Sequence, residues 1–319
     1  MQLYSLRLKK IETQIYIKIT TLSLETVTNM KAQKWRNKGG FVTVFGRKIF
    51  VIDTAVNSNS SASNKETLVL LHGYPTSTYD YYKVLPELSE KYRVILHDHL
   101  GFGFSDKPLD YSYSLIEQAD VALQLWKQMG VKEVTLFAHD YGTSVCTEIL
   151  ARHNKLQINL QINALIMCNG SVHIELSQLR TIQKLLKNKY TGKWIAKLTN
   201  YAIFSKNLRN VYFDKTQATE KEFVEIWAQL EHNNGRAVIH LLSSYMVERY
   251  TFWHRWIGAL KETKIPTKII WAKRDPVAVA RIATLLATEI PNNKLYWIEN
   301  CGHFPMLESP EEWTALVLK

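Results

Sequence analysis

The stretch Val134-Thr-Leu-Phe-Ala-His-Asp-Tyr-Gly142 constrains this chain more than any other. Its apolar run over 134–138 reads as a buried strand, and a small-x-acid-x-glycine turn follows at Ala138, Asp140 and Gly142. A helix restarting over 143–152 would hold the middle residue on a sharp, strained corner, a nucleophile elbow. The usual central residue of such an elbow is serine. Here it is Asp140, and the chemistry changes with it: a carboxylate displaces at carbon and forms an alkyl ester, which water must then cleave. Substrates for that nucleophile carry an electrophilic sp3 carbon, as epoxides and alkyl halides do. An aspartate can also simply cap the following helix, but strand, small neighbours and helix together favour the nucleophile.

The segments around the elbow repeat one pattern. Phe41-Val-Thr-Val-Phe45 and Lys48-Ile-Phe-Val-Ile-Asp53, joined at Gly46, read as a hairpin, and 67–71, 93–96, 163–168, 268–271 and 294–298 as further strands. Helical spacing fills 81–91 and 114–129 between them. Strands alternating with helices of this length predict an α/β fold with a mostly parallel sheet covered on both faces. From Ser171 to Glu262 the strand signal vanishes, and Leu179, Ile182, Leu185 and Leu186 repeat at helical spacing. The expected domains are therefore core over 34–170, a helical insertion over 171–262, and core again over 263–319. Residues 1–33 fit neither pattern and read as a disordered or peripheral extension, with 15–22 a loose strand and Met30 a candidate start; 57–64 reads as a polar loop.

Composition excludes several classes. Cys146, Cys168 and Cys301 are too few and too irregular for a disulfide framework or a zinc site, so reduced thiols in a cytoplasmic protein are expected. No apolar run reaches the roughly 18 residues of a membrane span, so no integral membrane segment is expected. The net charge is +11, of which +6 lies in the first forty residues; the rest reads as spread over surface positions, which argues against nucleic-acid binding. The sequence sets no oligomeric state.

Three further motifs supply what an aspartate nucleophile needs. His72-Gly-Tyr-Pro75 follows its strand directly, where the backbone N–H of Tyr74 can face an oxyanion, with that of Tyr141 as the second donor. Gly302-His303-Phe304-Pro305 lies past the last strand, where the chain order nucleophile, acid, histidine expects its base, and His303 would activate the water. Trp271-Ala-Lys-Arg-Asp275-Pro276 leaves the penultimate strand, and the turn at Pro276 exposes Asp275 to orient the imidazole. His72 and the Asp98-His99 pair read as structural, since neighbours on a strand point opposite ways.

With these pieces placed, the chain from about Trp35 to Lys319 resembles the α/β-hydrolase superfamily in its epoxide hydrolase and haloalkane dehalogenase branch. Leu71-His-Gly-Tyr-Pro-Thr-Ser-Thr-Tyr-Asp80, Leu100-Gly-Phe-Gly-Phe-Ser-Asp-Lys-Pro108 and the elbow carry the likeness. The resemblance implies an eight-stranded sheet and a helical cap closing over Asp140, with no metal or organic cofactor. It also implies that dehalogenases hold halide by side-chain N–H groups at positions that are Tyr141 and Tyr74 here, and that epoxide hydrolases use cap tyrosines to donate to the ring oxygen. Tyr245 falls where one such tyrosine is expected; Tyr190, Tyr201 and Tyr250 are candidates for a second. The expected function is hydrolysis of epoxides to diols, with a small, apolar to moderately polar substrate. Haloalkane dehalogenation by the same Asp140, His303, Asp275 triad is the first alternative, and a non-catalytic binding protein on this scaffold the second.

Overall fold

The computed structural model describes residues 32–56 and 65–319. The expectations for the first thirty-one residues and for the polar loop 57–64 lie outside the described residues. The described chain opens on a helical turn over 32–36 whose Ala32 and Trp35 are buried, so the packed body reaches back to Ala32.

Eight strands form one sheet: β1 (Gly40–Val44), β2 (Arg47–Asp53), β3 (Thr67–Leu71), β4 (Arg93–His97), β5 (Glu133–His139), β6 (Gln161–Cys168), β7 (Thr267–Ala272) and β8 (Asn293–Ile298). Their spatial order is β1-β2-β4-β3-β5-β6-β7-β8. β2 pairs antiparallel with both β1 and β4, and every pair from β4 to β8 is parallel. Successive side chains on a strand face opposite sides, and every residue of β5 from Val134 to His139 is buried. Both faces of the sheet are therefore covered, which explains why its central strands read as continuous apolar runs rather than alternating ones.

Parallel strands end on a common edge, and the loops leaving β3, β5, β6, β7 and β8 gather there. This is the edge where open α/β sheets place their ligands. Helix Leu115–Gln128 packs beside the elbow helix Tyr141–Asn154, while Leu85–Lys91 packs with the C-terminal helix Pro310–Leu318. The helix expected over 81–91 is split: a short 3-10 turn covers Thr78–Tyr81, and the α-helix opens at Leu85 with Pro86 in its first turn. Proline has no N–H and a fixed φ, so it starts a helix well and cannot sit in its interior.

Between β6 and β7 the described chain forms helices only, from Thr181–Leu186 to Trp253–Glu262. The last of these lies along the elbow helix. Glu148, buried in the elbow helix, accepts hydrogen bonds from Arg152 Nε (2.8 Å), Arg255 Nε (2.7 Å) and Trp256 Nε1 (2.9 Å). A buried carboxylate with this many donors is a rigid joint, because removing it would leave Arg255 without its ion-pair partner and the Trp256 N–H without its acceptor.

Candidate active site

The elbow forms where β5 runs out. Asp140 has φ 41° and ψ −107°, outside the regions an L-residue occupies without strain. Close packing holds it there. A Cβ on Gly142 would lie 2.6 Å from the Leu71 carbonyl oxygen, which leaves no room for a side chain, and one on Gly73 would press on Asp140 Cβ at 3.0 Å. The N–H of Gly142 donates to the His72 carbonyl at 3.1 Å, tying the elbow to the loop after β3.

Across that junction the Tyr74 N–H donates to Asp140 Oδ2 at 3.0 Å. Tyr141 opens the elbow helix, and its N–H is among the first four that a helix leaves without an internal acceptor. Of the two expected backbone donors, the Tyr74 N–H thus meets the carboxylate directly. Tyr74 holds Oδ2, and Arg249 Nη2 stands 3.9 Å from Oδ1.

His303 Nε2 stands 3.9 Å from Asp140 Oδ2, and its Nδ1 is 2.7 Å from Asp275 Oδ2. The expected aspartate and histidine on the two late loops therefore meet, with the imidazole between two carboxylates. Burial alone would depress its pKa, but Asp275 and Asp140 outweigh burial and lift it to about 10. Burial likewise acts to raise the Asp140 pKa, and His303 and Arg249 reverse this and hold it well below the usual carboxylate range. The resting pair is an ionised carboxylate beside an imidazolium.

Asp275 is fixed on all sides. Its Oδ1 accepts the N–H groups of Val277 (2.7 Å) and Ala278 (3.0 Å), and its Oδ2 accepts Asn169 Nδ2 at 2.8 Å. Asn169 directly follows β6 with φ 41° and also accepts the Ala272 N–H at 2.9 Å. His139 Nε2 meets the His303 carbonyl oxygen at 2.8 Å; burial first, then His303, lower its pKa to about 4, so it is a neutral donor that anchors the His303 loop.

Sequence reasoning missed Arg249. It is 1% exposed, its Nε donates to Ser144 Oγ at 2.7 Å, and its Nη2 donates to the backbone carbonyl of Asp140 at 2.9 Å. Its guanidinium lies 4.5 Å from the ring centroid of Tyr245. The only signal in the sequence was the spacing Tyr245-x-x-x-Arg249, which puts both on one helix face; nothing local says that this face meets the elbow.

Asp140 and His303 open onto a cavity of about 100 Å³, lined mainly by apolar side chains including Leu186, Phe204, Leu208, Leu230 and Val277. Its polar lining comes from Tyr74, Arg180, Gln183, Thr199 and Asn207 besides the two catalytic candidates. Tyr245 is buried behind this lining, where its hydroxyl oxygen accepts Gln183 Nε2 at 3.3 Å. Tyr190 and Tyr250 are largely exposed, Tyr201 hydrogen bonds to Glu220, and none of the three lines the cavity. The Tyr141 ring packs away from the cavity, against His99 and Phe102. Asp98 and His72 are structural, as expected: Asp98 accepts the N–H groups of Thr78 and Phe104, and His72 accepts that of His99.

A family model for the alpha/beta hydrolase fold matches residues 66–310. The mesoderm-specific transcript protein of Mus musculus is 35% identical over 283 residues, covering 86% of this chain and 83% of its own length. Among solved structures, haloalkane dehalogenase DbeA from Bradyrhizobium elkani USDA94 superposes with a TM-score of 0.71 at 20% identity, covering 87% of this chain and 97% of that one. Epoxide hydrolase CorEH gives 0.68 at 19% identity, covering 88% and 96%.

Proposed function

The chain belongs to the α/β-hydrolase family, and on that premise we propose that it opens epoxides to diols through an alkyl ester on Asp140. One observation carries the reading: an ionised carboxylate, not a hydroxyl, occupies the elbow and faces an apolar cavity beside the His303–Asp275 pair. In the first step Oδ1 attacks a ring carbon, the C–O bond breaks, and the ring oxygen leaves as an alkoxide that takes a proton. We assign that proton to Tyr245, which stands behind the lining and comes within reach when the ring oxygen displaces Gln183, whose amide donates to the Tyr245 oxygen before substrate binds.

Esterification removes the negative charge of Asp140, so one of the two carboxylates that raise the His303 pKa is lost. The imidazolium then gives up its proton by way of solvent, which restores the Tyr245 phenol, and the neutral imidazole serves as general base for the attacking water, with Asp275 fixing its tautomer. Water attacks the ester carbonyl carbon, and the oxyanion develops on Oδ2, where the Tyr74 N–H already points. Collapse releases the diol with its new hydroxyl oxygen drawn from Asp140. The helical segment between β6 and β7 serves as the cap that keeps bulk water from the ester.

A single turnover in heavy-oxygen water tests the scheme: the label enters the Asp140 carboxylate and the first diol stays unlabelled. A labelled diol with unlabelled protein would overturn the ester pathway. Halide release from chloroalkanes or bromoalkanes, without diol from any epoxide, would transfer the same Asp140 chemistry to dehalogenation.

A further inference from the structure

We propose that the outer surface of the helical segment over 176–213 docks the protein on anionic lipid bilayers, with the cavity mouth against the membrane. The proposal is independent of the chemistry at Asp140. Over these 38 residues the chain has eight Lys or Arg and no Asp or Glu. The even spread of charge read from the whole chain therefore does not hold here. Lys184, Lys187, Lys189, Lys193, Lys197 and Lys206 make no ion pair among the described residues.

Large apolar side chains stand exposed among these lysines: Tyr190 at 74%, Trp194 at 65% and Leu198 at 68%. Trp194 and Leu198 are four residues apart on helix Gly192–Leu198, so they share its outer face, and Lys197 lies between them in sequence, also exposed. Inward, the same helix buries Gly192 and Ala196. The patch extends further, since one surface cavity is lined by Trp194, Lys193, Lys197, Arg236 and the exposed Leu109.

Charge complementarity selects an anionic partner, and the aliphatic groups select a bilayer over a polyanion. Lysines attract acidic headgroups, whereas Leu198, Leu185 and Trp194 gain only from an apolar layer beneath those headgroups. Tryptophan also favours the membrane interface, where an apolar ring and a polar N–H are both satisfied. The location fits delivery. Ile203 is part of the cavity lining and is 39% exposed, and Leu186 of the lining is adjacent in sequence to exposed Leu185. An apolar substrate leaving the bilayer would meet the cavity without crossing water. This is surface binding, since among the described residues no helix is long and apolar enough to span a membrane.

The test is co-sedimentation of the full chain with phosphatidylcholine vesicles, with and without phosphatidylserine. The expected result is partition onto the phosphatidylserine vesicles that weakens with added salt. It should fall about fivefold for each of Lys193→Gln and Lys197→Gln, and tenfold or more for Trp194→Ser combined with Leu198→Ser. Vesicles carrying brominated acyl chains should quench tryptophan fluorescence, and Trp194→Phe should bind while losing that quenching. These positions are exposed, and an unchanged thermal melt confirms the fold. No partition onto anionic vesicles would overturn the proposal. So would partition that the cap variants leave unchanged, which would put lipid binding elsewhere on the chain, and so would salt-sensitive capture by RNA without vesicle binding.

Discussion

The floor and the roof of the cavity are held by different forces. On the floor, Asp140, His303, Asp275 and Asn169 stand on loops leaving parallel strands, each fixed by short hydrogen bonds to backbone N–H groups or to one another. On the roof, Leu186, Phe204 and Leu208 line the cavity with apolar surface and lysines face outward, while polar bonds to the core run through Arg249 and Gln229, through the Val211 carbonyl that accepts the His303 N–H, and through the Phe213 and Asp214 N–H groups that reach Glu308. A floor built this way gives up activity when any one atom moves. A roof built from apolar surface tolerates substitution and tunes what enters.

The sharpest way to test the contrast is at its centre. Asp140→Asn keeps the shape of the elbow and removes the proposed nucleophile, and diol formation should fall by roughly 10⁴-fold, the scale seen when one member of such a triad is lost. The same variant leaves His303 with a single carboxylate neighbour, so histidine NMR should show its pKa moving down from about 10. The raised pKa also sets a pH dependence of stability. A group whose pKa rises on folding from 6.5 to about 10 contributes stability fully below the lower value and loses it as pH climbs through the upper one. Wild-type stability should therefore lose this contribution between these values, a loss absent from His303→Ala when both are followed by urea denaturation.

Next in size is the joint between the two regions. Glu148→Ala leaves Arg152 and Arg255 facing each other without their shared carboxylate, and urea denaturation should show about 3–5 kcal/mol of lost stability. Asn169→Ala is smaller. Asp275 keeps two backbone donors, so stability should fall by about 1 kcal/mol, while ester hydrolysis in stopped-flow slows about tenfold as the imidazole loosens. The least effect is expected on the roof. Ile203→Ala removes half-exposed surface, so stability should stay within about 0.5 kcal/mol while KM for long-chain epoxides rises a few-fold. If the roof variant costs more kcat than Asn169→Ala, the division between the two regions fails.

Legibility in the sequence follows the same division. Each strand and each member of the proposed triad carried a local signature: an apolar run, a turn glycine, a proline after an acid, a histidine past the last strand. Chain order then sufficed to bring residues 135 positions apart, Asp140 and Asp275, to one edge, because parallel strands end together. On the roof the local signals were helical spacing and a surplus of aromatics, and these marked helices without saying which faces meet. Tyr245 was expected by its position in the chain, and it stands outside the cavity lining, to which Gln183 belongs.

What the sequence determined by itself is the alternation of strands and helices and the acid at the elbow, because backbone propensity and turn chemistry act over a few residues. What tertiary structure alone decided is Arg249 beneath the elbow, Asn169 behind Asp275, and the apolar and basic sides of the roof. Those depend on the angle at which one helix meets another, and that angle is set by the packing of side chains far apart in the chain.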